Sequence, residues 1–138
     1  LLTERDALLD AISTVQEARA LGVTTVSLNP VNVQKYTLVE RLWTRGNYRP
    51  PWLWSVLEVL REASHISDGW MKIVCDPVAG GKRRGAHNCG KCDNAIVEAI
   101  RQFSLNQDPD VLEHLTCDCI SQWEHVLQHE DFSLVVHR

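Results

Sequence analysis

The residues best placed to do chemistry are five cysteines, Cys75, Cys89, Cys92, Cys117 and Cys119, four of which form two tight pairs, C-x-x-C and C-x-C. A secreted disulfide scaffold usually has an even cysteine count behind a signal peptide. An odd count with paired spacing points instead to a reducing, cytosolic setting in which thiolates hold a metal. Two thiolate pairs complete a tetrahedron around zinc, each sulfur at about 2.3 Å. In Cys89-Gly90-Lys91-Cys92, Gly90 permits the tight turn and Lys91 offsets thiolate charge. The C-x-C pair is less regular, because its sulfurs converge only if the chain turns between them, so one of Cys117 and Cys119 is a candidate for being spare. Cys75 closes an apolar run, Trp70-Met71-Lys72-Ile73-Val74, that reads as a strand, and His87 stands two residues before the knuckle. The expected site is structural zinc on Cys89, Cys92, Cys117 and Cys119, with Cys75 or His87 as alternative ligands. The competing reading is a redox-active Cys89/Cys92 dithiol. A thioredoxin-like context would need more strands than the sequence offers, and no C-x3-C-x2-C arrangement for an open iron–sulfur cluster is present.

A second chemical feature is the loop Gly80-Gly81-Lys82-Arg83-Arg84-Gly85. It is not a phosphate loop of the G-x-x-x-x-G-K-[ST] kind, since Asp76 stands at the first glycine position and Arg83 at the hydroxyl position. Three adjacent cations flanked by glycines suit a nucleic-acid backbone, so Lys82, Arg83 and Arg84 are the candidate RNA-binding residues. Trp43, Tyr48, Trp52, Trp54, Trp70 and Trp123 supply either stacking surface or core. No Ser/His/Asp triad can be read, and His129-Glu130 lacks the second histidine of H-E-x-x-H.

These residues need a scaffold, and 138 residues with 44% apolar and 23% charged side chains can bury one. The formal net charge of −4 excludes a polycation that coats nucleic acid, leaving only a local basic patch. The apolar runs, such as Leu134-Val135-Val136, fall far short of the roughly 20 residues that cross a bilayer. With no initiator Met and no basic or apolar leader at Leu1-Leu2-Thr3, the chain reads as a piece of a longer protein. Thr3 with Asp6 opens a helix over residues 4–20. Val23–Leu28 reads as a strand ending at Asn29-Pro30, and Thr37 with Glu40 caps a short helix to Arg45. Pro50-Pro51 lead a helix to about Ala63, and the strand at 70–75 follows. Asp93 or Asn94 then caps a helix carrying Ile96, Ile100 and Phe103, Asp108-Pro109 starts another, and the last runs over about 118–130. A boundary near Ser67-Asp68-Gly69 divides the chain into residues 1–68 and 69–138. Two parallel-type strands make no self-sufficient sheet, so the expected fold class is α/β. The first part would be the terminal βα elements of a partial (βα) barrel, and the second a mostly helical zinc-binding module. Residues just past a barrel strand line its active site, which nominates Asn29, Asn32 and Gln34 as rim residues.

Several stretches together carry a family resemblance: Ser27-Leu28-Asn29-Pro30-Val31-Asn32-Val33-Gln34, Arg49-Pro50-Pro51-Trp52-Leu53-Trp54-Ser55, Cys75-Asp76-Pro77 and Gly81-Lys82-Arg83-Arg84-Gly85. To these add His87-Asn88-Cys89, Cys92-Asp93, Phe103-Ser104-Leu105 and Gln107-Asp108. Spanning nearly the whole chain, they resemble the C-terminal part of an archaeal, Elongator-like radical S-adenosylmethionine family that includes the radical subunit of archaeosine synthase. The resemblance implies a cytoplasmic tRNA-modifying enzyme. In it, a four-iron four-sulfur cluster and S-adenosylmethionine generate a radical that breaks a C–N bond in a lysine adduct of a 7-deazaguanine base, the adduct being made by a transglycosylase-like partner. The cluster motif is absent from these residues, so this chain is expected to supply tRNA binding, partner binding and part of the active-site rim. An alternative is a non-catalytic, zinc-stabilised interaction module that docks its partner through Trp52 and Trp54.

Overall fold

In a computed structural model, residues 2–130 are described, and the apolar run at 134–136 lies outside them. The chain folds as α1 (Glu4–Ala20), β1 (Thr25–Leu28), α2 (Leu38–Thr44), α3 (Leu53–Ser67), β2 (Lys72–Cys75), α4 (Asp93–Asn106) and α5 (Ile120–His129). No described helix is long and apolar enough to cross a membrane. The expected caps of α1 and α2 form: Thr3 Oγ1 accepts from Asp6 N, and Thr37 Oγ1 accepts from Glu40 N, each at 3.1 Å. The cap of α4 differs, since Cys92 rather than Asp93 or Asn94 occupies that position. Asp108-Pro109 opens only a 3-10 turn, Pro109–Leu112, because the carbonyl of fully buried Leu112 is taken by Arg61 through Nε at 3.1 Å and Nη2 at 2.7 Å.

β1 and β2 pair in parallel, Thr25 against Lys72 through Leu28 against Cys75. This pairing crosses the boundary expected at Ser67–Gly69. One apolar core also draws on Val15 and Leu57 from before it and on Ile100, Phe103 and Leu112 from after it. Helix α3 is the centre of that core, with nine of its fifteen residues buried, and it packs against α1, α4 and β2. The alternation of the strands turns Val26, Leu28, Ile73 and Cys75 toward the core. Thr25, Ser27 and Lys72 stand exposed on the other face.

The two edges of this small sheet are finished differently. Along β2, side chains from the end of α4 and its C-cap, Gln107, replace a neighbouring strand. Gln107 Oε1 accepts from Ile73 N at 2.8 Å while its Nε2 donates to Ile73 O at 2.6 Å, and Ser104 Oγ accepts from Cys75 N at 2.9 Å and donates to Cys75 O at 3.1 Å. Such pairing satisfies backbone groups that an edge strand would leave open. Along β1, no comparable side-chain cover is present among the described residues.

Glu4 ties the start of α1 to the start of α3: its Oε1 accepts from Trp52 N at 2.8 Å and Ser55 Oγ at 2.6 Å, and Ser55 Oγ accepts from Trp123 Nε1 at 2.8 Å. Burial outweighs these bonds and raises the Glu4 pKa above the usual carboxylate value. The folded protein therefore holds this proton more tightly than the unfolded chain. The associated stability is fully present below pH 4.5 and is lost as pH rises through the raised value. Glu4→Gln is expected to change stability at pH 7 by less than about 1 kcal/mol, or to increase it, and to remove this part of the pH dependence. Urea midpoints at pH 5 and pH 7 check it: the mutant should lose ground to the parent at the lower pH.

Candidate metal centre

The knuckle is built by Asp93, a buried residue at the start of α4. Its Oδ1 accepts from Gly90 N at 2.7 Å and its Oδ2 from Asn88 N at 2.8 Å, which folds residues 88–92 into a tight turn. Gly90, at φ +94°, occupies a conformation that side chains disfavour. Across from it, Ile120 N donates to Cys117 O at 3.1 Å, so the chain turns between Cys117 and Cys119 and both sulfurs can face one point. That turn removes the reason to regard either as spare. Cys92 caps α4 and Cys119 caps α5, and neither sulfur makes a capping bond to its helix backbone, so both stand at the positive ends of two helices.

The four sulfurs of Cys89, Cys92, Cys117 and Cys119 all lie within 4.8 Å of one another. Cys89 and Cys117 are 3.6 Å apart, Cys92 and Cys119 3.7 Å, and Cys89 and Cys92 4.0 Å. Four thiolates at about 2.3 Å from one tetrahedral ion stand about 3.8 Å from each other. The arrangement can hold a metal ion, and an all-sulfur set is suited to a soft or borderline one.

The site has an inside and an outside. Cys92 and Cys119 are buried, and each receives an N–H: Trp54 Nε1 donates to Cys119 Sγ at 3.2 Å, and Asn88 Nδ2 to Cys92 Sγ at 3.4 Å. Cys89 is exposed and Cys117 half-buried. Burial pushes the Cys92 thiol up to about 12 and raises that of Cys119 as well. The Lys91 backbone N–H, helped by that of Cys92, brings Cys89 down to about 7. A bound cation would offset the cost of ionising the inner pair, so uptake of metal would release protons. Arg49 adds a fixed positive charge near Cys119, anchored by Nη2 to His87 O at 2.7 Å and stacked 4.1 Å from the Trp52 ring.

Cys75 stands apart from this group. It is buried at the end of β2 with its backbone tied to Ser104, and burial pushes its thiol up to about 12. His87 is also elsewhere engaged: ring Nδ1 lies 2.8 Å from Gly85 O, and the backbone N–H donates to Pro51 O at 3.1 Å. Trp52 and Trp54 are 9% and 2% exposed, which removes them as a docking surface. Asn29, Asn32 and Gln34 follow β1 as expected. Asn29 joins the two strand ends by bonding Ser27 Oγ and Asp76 N, while Gln34 Nε2 donates to Asn32 Oδ1. Asn29 also borders a cavity of about 390 Å³ between α1 and α3, otherwise mostly apolar except for Glu4, Asp10 and Ser55.

The basic loop divides. Lys82 and Arg83 are exposed, whereas Arg84 folds back to bond Glu40 Oε1 at 2.7 Å and Val33 O at 3.0 Å and to stack 4.6 Å from Trp43. Arg84 is thus a brace between the loop and α2 rather than a free cation. Sequence reading missed Trp54 and Asn88 as thiol donors, Arg49 as the half-buried cation beside Cys119 and Glu40 as the partner of Arg84. For Glu40 a signal existed in its capping-box position; for the others nothing local distinguishes them.

No family model matches the chain, and no solved structure matches it. It is 45% identical over 132 residues to archaeosine synthase subunit beta of Methanosarcina acetivorans, covering 96% of this chain and 38% of that protein. It is 41% identical over 128 residues to the protein of the same name from Thermococcus kodakarensis, covering 92% and 39%. An uncharacterized protein of Methanocaldococcus jannaschii is 36% identical over 137 residues, covering 97% and 37%. The chain spans less than two fifths of the length of these curated relatives.

Proposed function

We propose that this chain is a zinc-stapled portion of an archaeosine synthase subunit, in which the metal holds the loop 76–92 and the α5 segment in place and the loop presents Lys82 and Arg83 to tRNA. The observation that carries it is the similarity, above 40% over more than nine tenths of the chain, to two proteins named as subunits of that synthase. Their name implies a partner subunit, and the transglycosylase-like enzyme of the resemblance is the partner proposed here. The radical reaction on a lysine adduct of 7-deazaguanine, with its S-adenosylmethionine and iron–sulfur cluster, belongs in this reading to parts of the longer protein outside this chain.

The sheet supports a larger βα array. Its β2 edge is capped by Ser104 and Gln107, so further strands would join at β1. Its polar face, with Thr25, Ser27 and Asn29, would then line the interior, and Asn29, Asn32 and Gln34 would border the active site. Lys82→Ala/Arg83→Ala should weaken binding to an unmodified tRNA transcript and lower the salt slope by about 1 to 2, as expected for two lost phosphate contacts. Unchanged affinity and slope would remove RNA binding from this loop.

One observation favours a second reading, a dithiol oxidoreductase: Cys89 is exposed and held near 7 beside the buried Cys92. That reading leaves the convergence of Cys117 and Cys119 without a purpose, which is why zinc ranks first.

A further inference from the structure

We propose that Tyr36 is the base-stacking residue of a single-stranded RNA contact, on a surface formed jointly by the Lys35–Tyr36 turn and the Lys82–Arg83 loop. The proposal rests on the RNA reading above and adds to it a residue, a second segment and a mode of recognition. Tyr36 is 96% exposed and has φ of +67°. Both features are unfavourable for an aromatic residue: the left-handed region crowds its Cβ, and exposure forgoes the burial that rings normally gain.

The surrounding bonds nevertheless hold the turn in this shape. Tyr36 N donates to Glu40 Oε2 at 2.7 Å, and Thr37 Oγ1 donates to Gln34 O at 2.8 Å. The other oxygen of Glu40 accepts from Arg84, whose backbone is joined to Val33 by Val33 N donating to Arg84 O at 2.6 Å. One carboxylate thus fixes the tyrosine turn to the basic loop, although the two lie more than forty residues apart. Trp43 supports the loop from α2, 4.6 Å beneath the Arg84 guanidinium and 5.5 Å from that of Arg83. Arg84 and Lys35 both lie close enough to Glu40 to favour its charge, so the acid is matched within the scaffold. Lys82 and Arg83 remain exposed for phosphates. An exposed ring on a turn braced to a loop that carries exposed cations is a combination by which proteins hold unpaired nucleotides: cations follow the backbone, and the ring stacks on a base without reading its identity.

The test is the affinity and salt dependence of binding to an unmodified tRNA transcript, measured for the parent chain, Tyr36→Phe, Tyr36→Ala and Tyr36→Asn. Asparagine tolerates the left-handed conformation, so it removes the ring while keeping the turn. Tyr36→Ala and Tyr36→Asn should each weaken binding fivefold or more without changing the salt slope, and Tyr36→Phe should bind like the parent. Parent-like affinity in both ring-less variants would overturn the stacking role while leaving the basic loop's role standing. Loss in Tyr36→Phe as well would also overturn stacking, since it would assign the contact to the hydroxyl. Absence of salt-dependent binding by the parent itself would overturn the RNA reading along with this one.

Discussion

Cys92→Ser is expected to abolish most metal binding and to lower the thermal midpoint by roughly 10 °C or more, whereas Cys89→Ser should retain metal with weakened affinity and a smaller loss of stability. The asymmetry follows from placement. Cys92 is buried, caps α4, accepts from Asn88 and faces Cys119 at 3.7 Å, so no water can take over its role without opening the core. Cys89 is exposed, and water can enter its coordination position. Structural zinc contributes on the order of 10 kcal/mol to small modules, comparable with the whole folding stability of a domain. Losing about 3 kcal/mol of that corresponds to roughly 10 °C in a chain of this size. Metal content by elemental analysis and thermal melts followed by circular dichroism check both variants. A dithiol enzyme predicts the reverse order of functional damage, with the exposed nucleophile the more sensitive position.

Gly85→Ala is expected to cost about 3 kcal/mol, at the upper end of overpacking effects. A Cβ on Gly85 would stand 2.3 Å from Ala79 O, 2.6 Å from Ala79 C and 2.8 Å from Val78 O. All three are backbone atoms, so no side-chain rotation relieves the clash. The loop would have to open between residues 78 and 85, displacing Arg84 from Glu40 and Trp43 and loosening the approach to Cys89. Urea denaturation should show a lower midpoint, and tRNA binding should fall although no cation has been removed. A midpoint equal to the parent's would show that the loop tolerates the added methyl.

Gly85 also illustrates how far sequence reading reaches. The glycines flanking the basic loop were legible as special positions, but their expected service to a phosphate was not what the fold required. Gly85 is small because residues 78–79 of its own loop press against it. Local signals performed well where the physics is local: the caps at Thr3 and Thr37 and the turn at Gly90 lie within a few residues of what they serve. The cysteine pairs were legible for the same reason, since C-x-x-C and the turn in C-x-C are short-range constraints. What escaped depends on pairing across the chain. Arg84 reads as one of three equivalent cations until Glu40 is found 44 positions away. The pairing of β1 with β2 joins residues 47 positions apart, on either side of Ser67–Gly69, and no local signal announces it. Ser104 and Gln107 carry part of the family resemblance, yet nothing in their types announces that they stand in for a missing strand beside β2.

The most direct test of the zinc-stapled module is metal content per chain by elemental analysis, on protein purified without added metal, with reactive thiols counted before and after chelation. About one zinc per chain is expected, with the thiols of Cys89, Cys92, Cys117 and Cys119 released together on chelation and Cys75 shielded until the core unfolds. No metal, together with a Cys89–Cys92 disulfide and freely reactive Cys117 and Cys119, would contradict it and put dithiol chemistry in its place.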